Sequence, residues 1–151
     1  MIKIEVISGN AVKIKAPEKL KADDFLQIAP QIDSLIKQHG QIRLLIDASE
    51  FSGWESIAAF ENHARFIKSH QQRVERIAVI AAHDWQYWLI GAVRIFLHPE
   101  VRAYDKSDEN EALQWIVGSA YGPPPRRFTY ERSRLIGFPL AFALLTNDPG
   151  Y

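Results

Sequence analysis

The sequence predicts an α/β domain in which a largely parallel sheet of five strands packs against about four helices. Short apolar segments alternate with amphipathic helical segments along roughly the first 120 residues, which calls for parallel strands joined by right-handed crossovers. Apolar and charged residues also alternate over residues 2–7 and 12–14, on either side of the turn Ser8-Gly9-Asn10. That pattern predicts a hairpin at the start of the sheet.

The first helix is expected to begin at Asp23 or Asp24 and to end at Gly40. Acidic residues suit the positive end of the helix dipole, and glycine suits a helix stop. Apolar residues recur at helical spacing between these ends, which indicates one buried face. Pro30 lies within this stripe and is expected to kink the helix or split it.

The remainder of the domain repeats strand and helix three times. The expected elements are a strand at 42–46 ending at Asp47, a helix from Trp54 to His70, a strand at 74–80, a helix at 85–97, a strand at 101–104 and a helix ending near Gly118. Asp84 is expected to cap the helix at 85–97, which is the third helix of the chain, and Ser107 is expected to cap the fourth and last helix.

The third helix is unusual because it is apolar almost all round. A peripheral helix in a small domain has only one face on the core, so Tyr87, Ile90 and Val93 are expected to be exposed unless something covers them. Exposed apolar patches mark sites of contact with proteins or membranes. The candidate ligand-binding residues are Trp54, Trp85, Trp88 and Phe96.

A C-terminal extension, residues 121–151, differs in composition from the domain that precedes it. It begins with the prolines 123–125, continues with arginines, and contains the apolar run 135–145, which is too short to span a bilayer as a helix. Three placements remain open. The extension covers the third helix of its own chain, covers that of a second chain in a swapped dimer, or lies in a membrane interface.

Polar residues follow the predicted parallel strands at their carboxyl ends, where ligands meet open α/β sheets. This polar edge comprises Asp47, Ser49 and His83, with Asp105 after the last strand. A small hydrolase using Ser49 or Ser52 with His83 is one interpretation. However, the sequence has no G-x-S-x-G motif, and the aspartates are better explained as capping or loop residues.

Composition excludes several classes of function. The 18 basic and 18 acidic residues balance, which argues against a nucleic-acid binder and leaves a homodimer open. The absence of cysteine removes disulfides and thiolate metal sites and suits the cytoplasm. The five histidines have no metal-ligand spacing and are interpreted as solvated surface residues. No glycine-rich nucleotide motif occurs, so no cofactor or metal is expected.

Several segments in order resemble the SpoIIAA-like branch of the STAS domains. They are the opening hairpin, FLQIAPQIDSLIKQHG, QIRLLIDASEFSGWE, RIAVIAAHDWQYWL, VRAYD and EALQWI. The resemblance covers residues 1–120 and implies a mixed sheet with the first strand antiparallel, and no enzyme activity. It also implies protein partners and, in the anti-sigma-factor antagonists, a serine phosphorylated at the start of the second helix.

The phosphorylation motif is only partly matched. Asp47 corresponds to its strand-end aspartate, but Ser52-Gly53-Trp54 lacks the preceding acid and the paired serine. Ser52 and Ser56 are the candidates for a switch. The SpoIIAA-like branch also resembles a group suggested to bind apolar ligands or to associate with membranes.

The leading hypothesis is therefore a non-enzymatic binding module for a lipid-like ligand or a membrane surface, cytoplasmic or peripheral to the membrane. The alternative is a protein-interaction regulator of the anti-sigma-factor-antagonist type, switched at Ser52 or Ser56. A small hydrolase is the third hypothesis.

Overall fold

Five strands form the central sheet of the chain, whose computed structural model describes residues 1–118. The elements, in chain order, are β1 (Lys3–Ser8), β2 (Ala11–Lys15), β3 (Lys19–Leu20), α1 (Asp24–His39), β4 (Ile42–Asp47), β5 (Gly53–Trp54), α2 (Ile57–His70), β6 (Val74–Ala81), α3 (Asp84–Val93), β7 (Glu100–Asp105) and α4 (Glu109–Val117). The predicted extension 121–151 and its three placements lie outside the described residues.

The strand order in the sheet is β1-β2-β4-β6-β7. β1 is antiparallel to β2, and the other neighbours are parallel. This confirms the predicted mixed, mostly parallel sheet with four principal helices. The short strands β3 and β5, which the sequence did not predict, form a separate parallel pair beside it.

Alternation along the strands divides the core between the two faces of the sheet. One face carries Ile14, Leu44 and Ile77 and packs against the apolar side of α1. The opposite face carries Leu45, Ala78 and other buried residues that pack against α4. Because successive strand residues point to opposite faces, each central strand is apolar nearly throughout, as expected for a strand covered on both sides.

Two arginines of the sheet hold the C-terminal end of α4. Arg43 Nη1 donates to the carbonyl oxygens of Ile116 at 3.1 Å and Gly118 at 3.0 Å. Arg76 Nη1 donates to the carbonyl of Trp115 at 3.1 Å, and its side chain is buried. The last carbonyls of a helix lack intrahelical partners and carry the negative end of its dipole, so these cations stabilise the helix end.

Helix α1 is continuous through Pro30, so of the two predicted effects, a kink or a split, the split does not occur. Proline removes the hydrogen bond that would reach the carbonyl of Leu26, four residues earlier. Both Pro30 and Leu26 are exposed, so water can reach the unpaired carbonyl. The predicted stop is confirmed, since Gly40 follows the helix with φ of 80°.

Three predicted helix boundaries also require correction. Trp54 lies in β5 and not at the start of α2, because the Ser56 side chain accepts a hydrogen bond from Ala59 N and makes Ser56 the N-cap. Asp84 is the first residue of α3 rather than its cap, which is His83. Residues 106–108 form a 3-10 turn, so α4 begins at Glu109 and Ser107 does not cap it.

Candidate functional site

A cavity of about 460 Å³ lies between the first face of the sheet and the helices α1, α2 and α3. The sheet contributes Leu44, Ile46 and Ile77 to its floor. Helix α3 contributes further apolar residues, namely Trp88, Leu89, Ile90 and Val93. Helices pack on a sheet through protruding side chains, and here the three helices leave a space between them that those side chains do not fill.

Helix α3 is less exposed than its composition predicted. Tyr87, Ile90 and Val93, which were expected to be exposed unless something covers them, are half-buried, and the last two line the cavity. The helix proper ends at Val93, and residues 94–96 continue as a 3-10 turn. The exposed apolar side chains of this region are instead Trp85, Ile95 and Phe96.

Aromatic rings form one wall of the cavity. Phe51 stands between two tryptophans, with its ring centroid 5.2 Å from that of Trp54 and 5.9 Å from that of Trp85. Trp54 also meets Phe60 edge to face at 5.0 Å. Gly53 has φ of 142°, a backbone conformation that favours glycine, and it directly precedes Trp54.

The structure brings together three of the four predicted ligand-binding residues. Trp54, Trp85 and Trp88 all line the cavity. Phe96 is not among the lining residues and is 54% exposed on the turn after α3. Phe51 and Phe60, which the sequence analysis did not single out, complete the wall.

His63 is the most informative polar residue of the cavity. Trp54 Nε1 donates a hydrogen bond to His63 Nδ1 at 3.1 Å, and the imidazole stacks on Phe25 with centroids 4.9 Å apart. Burial lowers the pKa of His63 from its ordinary 6.5 to about 4. The ring is therefore neutral at pH 7, with Nδ1 as the acceptor and the hydrogen on Nε2.

His70 occupies the end of α2 with both ring nitrogens engaged. Nε2 lies 2.8 Å from Asp33 Oδ1, and Nδ1 lies 2.8 Å from the carbonyl oxygen of Phe66. Its ring stacks on that of Phe66 at 4.2 Å. His63 and His70 both line the cavity, so their interpretation as solvated surface histidines is wrong. Their spacing on the apolar side of α2, with Phe60 and Ile67, was the available signal.

Gln86 fixes the loop that carries the aromatic wall. Its Oε1 accepts hydrogen bonds from the backbone N–H groups of Ala82 and His83, at 2.7 and 3.0 Å. Its Nε2 donates to the carbonyls of Ala48 and Phe51, at 2.7 and 2.9 Å. The side chain is 3% exposed, so all four bonds lie within the protein. No role for Gln86 was predicted from the sequence.

The predicted polar edge forms around Asp47. Asp47 accepts hydrogen bonds from Ser49 Oγ at 2.6 Å, Ser49 N at 3.1 Å and Lys106 Nζ at 2.9 Å. Burial alone would raise its pKa, but the bonds from Lys106 and Ser49 outweigh burial and lower the pKa to about 2. An acid this strong is a poor proton acceptor at neutral pH. The cluster joins the end of β4 to the turn before α4.

The polar edge does not show the serine–histidine contact that the hydrolase hypothesis requires. Ser49 donates to Asp47, and Ser52 Oγ donates to the carbonyl of Glu18 at 3.0 Å. None of the hydrogen bonds in the described chain joins either serine to His83, which is exposed. Within residues 1–118, no group of three or more potential ligands could hold a metal ion. No helix in that part of the chain is long and apolar enough to cross a membrane.

A family model described as SpoIIAA-like matches residues 11–117. The chain belongs to the SpoIIAA-like family. The match covers β2 to α4 and therefore includes every described residue that lines the cavity except Ile2. A search of curated proteins found no match.

Solved structures of SpoIIAA-like proteins agree with this assignment. An uncharacterised protein of the DUF3478 family from Shewanella loihica PV-4, with a SpoIIAA-like fold, is 28% identical. The match covers 77% of this chain and 92% of that one, with a TM-score of 0.64. The anti-sigma factor antagonist SpoIIAA in its unphosphorylated form is 13% identical, with coverage of 77% and 100% and a TM-score of 0.50. This second likeness concerns the fold alone.

Replacing Gln86 with alanine is expected to lower the free energy of unfolding by about 2–4 kcal/mol. The change removes four hydrogen bonds and leaves the carbonyl of Phe51 without a donor, while the carbonyl of Ala48 keeps only the N–H of Phe51 at 3.1 Å. Unpaired buried groups cost about 1–3 kcal/mol each. Urea denaturation followed by circular dichroism measures the change. Gln38→Ala on the exposed side of α1 is the matched control and should cost less than about 0.5 kcal/mol. Equal costs for the two variants would contradict the role given to Gln86.

Stability should fall on acidification below pH 6.5 because of His63. The unfolded chain takes up a proton near pH 6.5, whereas the folded chain does so only near pH 4. The contribution of His63 is thus complete above pH 6.5 and is lost as the pH falls towards 4, by up to about 1.4 kcal/mol per pH unit. Urea midpoints at pH 7, 6 and 5 measure this loss. His63→Leu should flatten the profile relative to the unsubstituted protein, and parallel profiles would refute the assignment.

Proposed function

We propose that this SpoIIAA-like domain is a non-enzymatic binding protein that encloses a lipid-like, apolar small molecule. The observation that carries the proposal is the cavity of about 460 Å³ between the sheet and α1–α3. Small-molecule sites have volumes of about 300–1,000 Å³ and are lined mainly by hydrophobic and aromatic side chains. The cavity fits both criteria.

Burial of apolar surface would drive binding. Each Å² of apolar surface removed from water contributes about 25 cal/mol, and the walls are already held in place by the sheet and the Gln86 hydrogen bonds. An unfilled apolar cavity also deprives its lining of van der Waals contacts, so an occupant would stabilise the fold. The chemistry requires neither a metal nor a cofactor.

An enclosed ligand is favoured over a membrane surface as the binding target. Three predicted binding residues, Trp54, Trp85 and Trp88, line the cavity. Next to α3, the exposed apolar residues outside the cavity, Ile95 and Phe96, form a small group on one turn. Such a group is common on soluble proteins and does not by itself imply membrane contact.

Reducing the volume of the cavity should weaken ligand binding. Ala64 lies on α2, is buried and lines the cavity, so Ala64→Leu places three additional carbons in the space. We expect the affinity for the neutral fluorescent probe N-phenyl-1-naphthylamine to fall at least about ten-fold, equivalent to about 1.4 kcal/mol. The fluorescence increase of the probe on titration measures this affinity.

Ala58→Leu is the matched control because it makes the same change on the exposed side of the same helix. It should alter affinity less than two-fold, on the scale of about 0.4 kcal/mol. Circular dichroism and the melting temperature verify that both variants fold. Unchanged binding in folded Ala64→Leu, or an absence of probe binding in the unsubstituted protein, would refute the proposal.

A phosphorylation-linked interaction with a protein partner is the second candidate function. SpoIIAA, whose fold this chain shares, is described as an anti-sigma factor antagonist with an unphosphorylated form. Ser56 is exposed at the N-cap of α2, and the first turn of this helix has no acidic residue. A phosphate there would supply the negative charge that a helix N-terminus favours. Ser52 is also exposed but lies before β5, away from the helix start.

Phosphopeptide mapping of the protein isolated from its own cells tests this candidate. Phosphate on Ser56 is expected, with Ser52 unmodified, because only the Ser56 hydroxyl lies at the helix dipole. Ser56→Ala should abolish the modification, and Ser52→Ala should leave it. Mass spectra showing phosphate on neither serine would contradict the regulatory function.

A further inference from the structure

His63 offers a hydrogen-bond donor within an otherwise apolar cavity. Its Nδ1 accepts from Trp54, which leaves the hydrogen on Nε2. Among the described residues, no group pairs with that Nε2–H. An unpaired donor in apolar surroundings costs free energy unless a ligand or water satisfies it.

The other polar side chains that line the cavity are already engaged. Both ends of the Gln86 amide are used by backbone groups, and both nitrogens of His70 have partners. Gln71 lies at the exposed rim, where its Oε1 accepts from His98 N at 2.9 Å. Trp85 is 39% exposed. The Nε2–H of His63, in contrast, lies on a ring that is held inside by its neighbours and has no hydrogen-bond partner among residues 1–118.

Two contacts hold the imidazole in a single orientation. Phe25 stacks on one face of the ring with an interplanar angle of 12°. Trp54 fixes the Nδ1 edge by its hydrogen bond, and its own ring is held against Phe51 and Phe60. A donor fixed in this way selects ligands, because little side-chain entropy remains to be lost on binding.

We infer that the ligand is uncharged and carries one hydrogen-bond acceptor, such as a ketone or ester carbonyl, which receives the Nε2–H of His63. This inference rests on the proposed function, since it specifies the class of molecule that the cavity takes. Among residues 1–118, the lining of the cavity contains no lysine or arginine, so a carboxylate or phosphate would meet no cationic partner there. A pure hydrocarbon would leave the donor unpaired.

Benzophenone and diphenylmethane form a matched pair of probes that differ only by a carbonyl in place of a methylene. Equilibrium dialysis gives the dissociation constant of each. The decisive quantity is the preference for benzophenone, expressed as the ratio of the two constants. We expect His63→Leu to reduce this preference about ten-fold. His39→Leu, at an exposed histidine outside the cavity, should leave the preference within two-fold.

A second measurement does not depend on a substitution. Long-range ¹H–¹⁵N correlation spectra of the unsubstituted protein should show His63 as the Nε2–H tautomer. Benzophenone should shift its ¹⁵Nε2 resonance, and diphenylmethane should not.

The outcomes separate the two proposals. If both probes bind but the preference is the same in His63→Leu, or if the Nε2 resonance does not respond, the assignment to His63 is overturned and the cavity remains a binding site. If neither probe binds the unsubstituted protein, both proposals fail.

Discussion

One buried amide side chain, that of Gln86, connects the ends of the two central strands. Its two donors reach the loop after β4, and its acceptor receives two N–H groups between β6 and α3. Parallel strands end at the same edge of a sheet, and their final backbone groups lose their partners there. Gln86 satisfies four of those groups at once. It thereby fixes the position of Phe51, on which the aromatic wall is built.

The two faces of the sheet are packed in different ways. On the face covered by α4, Leu45, Ala78 and Ile116 are nearly inaccessible, and the helix end is held by Arg43 and Arg76. On the other face three helices meet, and aromatic rings and imidazoles stand between them. The cavity lies on this second face, where Trp54 meets Phe51 and Phe60 edge to face.

The sequence was sufficient to predict the sheet and its four principal helices, because periodicity reports which side of an element is buried. The apolar composition of α3 drew attention to Trp85 and Trp88, and Trp54 was added as a neighbour of that helix; all three line the cavity. Helix ends were less predictable. Several residues before α2 have side chains that could cap a helix, namely Asp47, Ser49, Ser52 and Ser56. The folded backbone determines that Ser56 is the one whose side chain accepts from a free N–H of α2.

The roles of His63 and Gln86 could not be predicted from pattern alone. Each depends on a partner that the fold brings close. The Trp54 indole, on β5, donates to His63, and two carbonyls of the loop after β4 accept from Gln86. A lone histidine or glutamine on a helix has the same sequence signature whether it faces water or the core. Long-range geometry decides between these environments.

The loop after β4 belongs both to the cavity and to the polar edge. Ala48, Phe51 and Trp54 line the cavity, while Ser52, between them, is exposed. A ligand that moved the Phe51 or Trp54 ring would therefore also move the backbone that carries Ser52 and leads to Ser56. The two candidate functions consequently do not require separate surfaces. A ligand in the cavity and a phosphate at the start of α2 would act on one segment of about nine residues, and each would alter the free energy of binding of the other.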